Sequence, residues 1–178
     1  MPHLVVAGLS LRASRASGAP PYGAVVLAGV AERVPQRLSR LVLLDGFVVH
    51  SNESLADVSG LPPMVIAHMQ AETDGWRLPP FPYSVLGIDD PHEQRALEGR
   101  LLPHPVKCLT DGLALRDPRA AALPRSYIQC TGRPLPILPV SVARARAAGW
   151  PFYELPTGHD AMLTAPRELS ELLLRLAA

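Results

Sequence analysis

The chain has 178 residues, 48% of them hydrophobic, and a formal net charge of +1, which suits one domain with a buried core. That charge balance gives no electrostatic reason to bind nucleic acid or an anionic membrane, and the longest apolar runs fall well short of the roughly 18 residues of a membrane span. Two cysteines, Cys108 and Cys130, are too few for a disulfide framework, and no basic segment precedes the short apolar run near Met1, so a reduced, cytoplasmic setting without a signal peptide is expected.

His3 to Gly8, HLVVAG, is a β-branched apolar run closed by Gly and predicts a buried strand. Gly8-Leu9-Ser10 follows it, and a strand ending in G-x-S is the first half of a nucleophile elbow, where a sharp turn lifts the Ser to the strand tip. The full motif has a second Gly two residues on, where this chain has Arg12. Residues 12–22, RASRASGAPPY, read as an irregular loop. Gly23 to Val34 predicts a helix ended by Pro35, and Arg40 to Phe47, RLVLLDGF, a second buried strand. Asp45 stands at the C-terminal tip of that strand, although Asp45-Gly46 is also a common turn dipeptide.

The prolines cluster at 62–63, 79–82, 103–105 and 134–139 and break the middle of the chain into short pieces. Met64–Met69 and Pro91–Leu101 are the expected helices there, the second capped by Asp90. His50, His68, His92 and His104 show no metal-ligand spacing and read as surface or cap residues, so no metal is expected. Arg125 to Thr131 predicts a third strand, and Pro139 to Gly149 a helix with Val140 and Ala143 inward and Arg144 and Arg146 outward.

The last stretch carries the strongest pattern. Phe152 to Leu155 predicts a strand, Pro156-Thr157-Gly158 breaks it, and His159 and Asp160 follow in the loop. Thr164 and Pro166 then signal a helix whose Leu169, Leu172, Leu173 and Leu176 make one apolar face. Loops after strand C-termini are where α/β sheets place their chemistry.

The run from Gly158 to Pro166, GHDAMLTAP, followed by an amphipathic helix, resembles the C-terminus of the α/β-hydrolase superfamily, in the esterase branch related to methylesterases and hydroxynitrile lyases. The resemblance implies a parallel sheet flanked by helices, with residues 1–47 and 125–178 as core and 48–124 as a mainly helical, Pro-rich cap. It implies His159 as general base of a Ser-His-acid triad, Ser10 as nucleophile and Asp45 as the acid, hydrolysing a small-molecule carboxylic ester with no cofactor. Trp76, Phe81, Pro82 and Tyr83 would line the substrate pocket or cover the sheet. Hydroxynitrile-lyase-like chemistry would ask for a cap Lys or Thr, and Lys107 is the only lysine.

The chain departs from the family pattern in places. Gly23-Ala24-Val25-Val26 looks like the start of the elbow's helix, whose partner Ser would then fall near Pro21. Either Ser10 serves with a loop inserted after it, or the nucleophile is lost. The position after Thr131, where the family often has its Asp, is Gly132-Arg133-Pro134. The likeness begins at the elbow strand, so a partial fold lacking the N-terminal strands is expected. Its exposed sheet edge then suggests a homodimer. The alternative function is a catalytically dead, truncated remnant acting as a binding or oligomerising module.

Overall fold

The computed structural model describes residues 5–7 and 20–177. Four strands, β1 (Val5–Ala7), β2 (Arg40–Leu44), β5 (Arg125–Cys130) and β6 (Phe152–Leu155), form one parallel sheet in the order β1-β2-β5-β6. Parallel neighbours need crossover connections, and helices supply them here. Helix α1 (Pro20–Arg33) joins β1 to β2, and α8 (Pro139–Ala147) joins β5 to β6. Helix α10 (Pro166–Ala177) closes the chain behind β6.

Between β2 and β5 the chain makes six short helices: α2 (Leu55–Ser59), α3 (Pro63–Ala71), α4 (Tyr83–Leu86), α5 (Pro91–Leu97), α6 (Lys107–Thr110) and α7 (Pro118–Ala121). A small antiparallel pair, β3 (Arg77–Leu78) with β4 (His104–Pro105), stands among them. A last short helix, α9 (Ala161–Thr164), precedes α10. The fold is thus the expected parallel sheet flanked by helices, with a mainly helical, Pro-rich insertion.

Strand β2 shows why the sheet is buried on both faces. Its side chains alternate, so Leu41 and Leu43 join Ala24, Leu27 and Ala31 of α1, while Val42 and Leu44 join Leu169, Leu172 and Leu176 of α10. Strand β5 divides the same way, with Tyr127 on the α1 side and Ile128 and Cys130 on the α10 side. The leucine face of α10 is the one its spacing predicts, with Leu173 partly buried at its edge. Truncating any of its three buried leucines to Ala costs about 2–5 kcal/mol by the usual range for core leucines.

Two local expectations are corrected. Helix α1 starts at Pro20, three residues before Gly23, because proline is tolerated in a first helical turn, where an N–H has no partner to lose. Helix α8 is rotated from the expected phase: Ser141 and Ala145 are buried, whereas Val140 and Ala143 are exposed. Polar contacts set that phase. Ser141 Oγ accepts from Val48 N–H at 3.0 Å, and Arg144, far from pointing outward, donates to both oxygens of Glu53 at 2.6 and 2.7 Å and to the Val48 carbonyl at 2.8 Å. Asp90 does cap α5, accepting from His92 N–H at 2.8 Å.

Candidate active site

The tips of β2, β5 and β6 converge on one buried pair. Asp45 follows β2, and His159 lies in the loop after β6. The His159 Nδ1 and Asp45 Oδ2 atoms are 2.6 Å apart, with the residues 0% and 2% exposed. These two residues are 114 positions apart in sequence.

Asp45 is held by the sheet itself. Its N–H donates to the Ile128 carbonyl at 2.7 Å, one step past the end of β2. A regular parallel ladder would then send Cys130 N–H to the Asp45 carbonyl. Instead the Asp45 backbone turns off the sheet at φ 43°, and Cys130 N–H donates to the Asp45 carboxylate, Oδ1, at 3.1 Å. The side chain takes the place its own carbonyl would have held. Left-handed φ is costly for most residues but is one Asp and Asn tolerate. The next carbonyl, Gly46 O, accepts from the Tyr127 hydroxyl at 2.9 Å, which fixes the turn from below. With Oδ1 committed to the backbone, Oδ2 is left to face the imidazole.

His159 is held by backbone from two directions. Its N–H donates to the Leu86 carbonyl at the end of α4 at 3.0 Å, and its own carbonyl lies 3.8 Å from Cys130 Sγ. The loop leading to it packs on bare backbone: a Cβ on Gly158 would lie 2.8 Å from the Gly87 carbonyl oxygen and 3.0 Å from that of Leu86. Gly87 is fixed as glycine too, with φ 77° and Gly158 Cα where a Cβ would go. Arg133 bridges the same region, donating to the Ser84 carbonyl at 2.7 Å and to both oxygens of Asp89 at 3.0 and 2.7 Å. The position after β5 that lacks a carboxylate therefore carries a tie to the insertion instead.

The remaining buried polar groups sort by environment. His159 Nε2 is buried and has no hydrogen-bond partner among the described residues. Burial, with Asp45 and Asp160 nearby, pushes the Cys130 thiol up, so it stays protonated and is no nucleophile. Burial also raises the Asp160 carboxyl, partly offset by His159. No cluster of metal-ligating side chains occurs among the described residues, and none of their helices is long and apolar enough to cross a membrane.

Of the candidate residues, Asp45 and His159 are brought together, and Ser10 lies outside the described residues. Phe81 lines a cavity in the insertion that Tyr22, Phe47 and Ile137 also border; Trp76 is 55% exposed and stacks under the Arg77 guanidinium instead. Lys107 is exposed and paired with Asp111 at 3.3 Å, away from the site. His104 lies in the insertion and is half-buried, with both ring nitrogens inaccessible and without a hydrogen-bond partner among the described residues. Tyr127, Cys130 and Leu86 escaped sequence reading because their roles rest on one hydroxyl and two backbone groups, which leave no mark in a residue pattern.

No family model matches the chain. It is 29% identical over 165 residues to a carbendazim-hydrolysing esterase from Nocardioides sp. (strain SG-4G), covering 87% of this chain and 68% of that one. Among solved structures it is similar to an extracellular α/β-hydrolase from a Paenibacillus species, with a TM-score of 0.69 at 20% identity over 86% of this chain and 67% of that one. Polyneuridine aldehyde esterase superposes with a TM-score of 0.66 at 16% identity, covering 88% of this chain and 69% of that one. A methylesterase from Arabidopsis gives 0.56 at 22% identity over 87% of this chain and 65% of that one. The chain spans about two thirds of the length of each. By sheet order, helix placement and these likenesses, it carries the α/β-hydrolase fold, in the later part of that fold.

Proposed function

We propose that the chain hydrolyses carboxylic esters, with His159 as general base and Asp45 holding its imidazole. The observation that carries this is the 2.6 Å contact between Nδ1 and Asp45 Oδ2, beside a buried Nε2 with no partner among the described residues. A neutral imidazole has one donor and one acceptor nitrogen. A carboxylate can only accept, so Asp45 fixes the proton on Nδ1 and leaves Nε2 basic. The esterase likeness of the Nocardioides protein supports the reaction class.

In this reading Nε2 takes the proton of the Ser10 hydroxyl as its oxygen attacks the ester carbonyl. The imidazolium that forms is stabilised by the Asp45 carboxylate and returns the proton to the leaving alkoxide, giving an acyl-enzyme and an alcohol. Water then attacks the acyl-enzyme with the same base, releasing the acid and restoring Ser10. Cys130 N–H and, in this reading, the imidazole both donate to the Asp45 carboxylate and hold it in place.

A serine-directed fluorophosphonate tests the assignment. The expected result is one adduct, mapped to Ser10, formed much more slowly in His159→Ala, with hydrolysis of 4-nitrophenyl acetate falling in parallel. An unlabelled Ser10 in folded protein removes Ser10 from the mechanism, and unchanged hydrolysis in His159→Ala removes the base.

A further inference from the structure

Three segments meet at His159, and each pair of them is tied by a polar contact. Gly132 N–H, after β5, donates to the Thr157 carbonyl, after β6, at 3.0 Å. His159 N–H donates to the Leu86 carbonyl at the end of α4, also at 3.0 Å. Arg133 closes the third side. Its guanidinium donates to the Ser84 carbonyl within α4 at 2.7 Å, and to both oxygens of Asp89, just past α4, at 3.0 and 2.7 Å.

Helix α4 needs these ties. It has only four residues and cannot satisfy its own last carbonyls. The Tyr83 carbonyl is taken within the segment, by Gly87 and Ile88 N–H. Those of Ser84 and Leu86 are taken from the core, by Arg133 and His159. The Leu86 and Ile88 side chains are buried and anchor the segment too, but apolar burial has no direction and does not aim a carbonyl. The polar ties do. Space is short where they act: a Cβ on Gly87 would stand 2.8 Å from Gly158 Cα and 3.5 Å from Arg133 Cβ. An exposed ion pair usually contributes little. This one is two-pronged and adds a bond to a backbone carbonyl, a geometry that fixes orientation as well as charge.

We propose that Arg133 is a positioning residue for the base: by pinning α4 it aims the Leu86 carbonyl at His159 N–H, so that His159 is seated only while the insertion is docked on the core. The catalytic consequence rests on the ester-hydrolase reading above; the hold on the His159 loop rests on the bonds alone. Arg133 acts through α4 and takes no part in bond breaking.

Amide hydrogen exchange, read by NMR on the wild-type chain, Arg133→Ala, Arg133→Lys and Asp89→Ala, tests the hold without turnover. The controls are Tyr127 and Asp45 N–H, which bond within the sheet to the Pro151 and Ile128 carbonyls. In Arg133→Ala, His159 N–H should exchange about tenfold faster, the scale of one lost charge-assisted hydrogen bond, beyond any change at the controls. Arg133→Lys keeps a donor and the charge but not the fork, and should recover part of the protection. Asp89→Ala changes an exposed residue, keeps the Ser84 bond, and should give a smaller shift in the same direction; it serves if Arg133→Ala fails to fold. With 4-nitrophenyl acetate, kcat should fall about 10–100-fold in Arg133→Ala and recover in part in Arg133→Lys. A His159 amide unmoved in Arg133→Ala and Asp89→Ala, or one that speeds up no more than the controls, overturns the proposal. So does an unchanged kcat in a chain whose His159 amide has loosened. A wild-type chain that hydrolyses nothing sinks the ester-hydrolase reading, and exchange alone then decides whether Arg133 holds the loop.

Discussion

Gly158→Ala tests how the His159 loop is held. The added methyl would stand 2.8 Å from the Gly87 carbonyl oxygen and 3.0 Å from both Gly87 Cα and the Leu86 carbonyl oxygen, and all three are backbone atoms with no rotamer to escape into. Relief requires the loop and the end of α4 to separate. That separation breaks the 3.0 Å bond from His159 N–H to the Leu86 carbonyl. Overpacking of this kind costs about 1–3 kcal/mol and the lost hydrogen bond about 1 more, so a destabilisation of about 2–4 kcal/mol is expected. For a domain of this size that lowers Tm by about 4–16 °C. Scanning calorimetry on the two chains reads it. Gly29→Ala is the matched control, because its methyl would meet only Leu113 side-chain carbons at 3.5 and 3.9 Å, inside helix α1. That change should be neutral or raise stability by about 0.5–1 kcal/mol, since glycine is the poorer helix former. A Gly158→Ala protein within about 0.5 kcal/mol of wild type, far below the overpacking range, would refute the packing argument.

Two further outcomes follow from the same contacts. Asp45→Asn places an amide where Oδ2 faces Nδ1; the amide donates, forces the imidazole proton onto Nε2, and should cut kcat for ester hydrolysis about 10³–10⁴-fold with KM little changed. Steady-state kinetics on folded protein measures it. The Glu53 carboxyl is pulled down from 4.5 to about 2, chiefly by its hydrogen bonds from Arg144. A depressed carboxyl stabilises the fold above its unfolded pKa, and that stabilisation fades as pH falls from about 4.5 toward 2. Urea unfolding across that window should show Glu53→Gln losing about 1–3 kcal/mol at pH 7 and little at pH 2; equal losses at both ends would contradict it.

Much of the sheet was legible because its strands are short apolar runs with clear stops. Phe152–Leu155 is found where its pattern ends at Pro156, and the α10 leucines fall on one face as spaced. The phase of α8 was not legible, because its interior positions are Ser141 and Ala145, chosen by the Val48 N–H and by close packing rather than by hydrophobicity. Asp45 and His159 were each visible as strand-tip residues, yet their meeting depends on the β2–β5–β6 order, which no local pattern encodes. The burial of the two His104 ring nitrogens was not legible, because a buried imidazole and an exposed one look alike when the neighbours are prolines.

The tautomer of His159 bears most directly on the whole account. In protein carrying isotope-labelled histidine, NMR near pH 8 should show the His159 proton on Nδ1, strongly deshielded by the Asp45 carboxylate, with Nε2 unprotonated; in Asp45→Asn the proton should move to Nε2. A wild-type ring found with its proton on Nε2, or one unmoved by the Asp45 change, would contradict the assignment of His159 as a base held by Asp45.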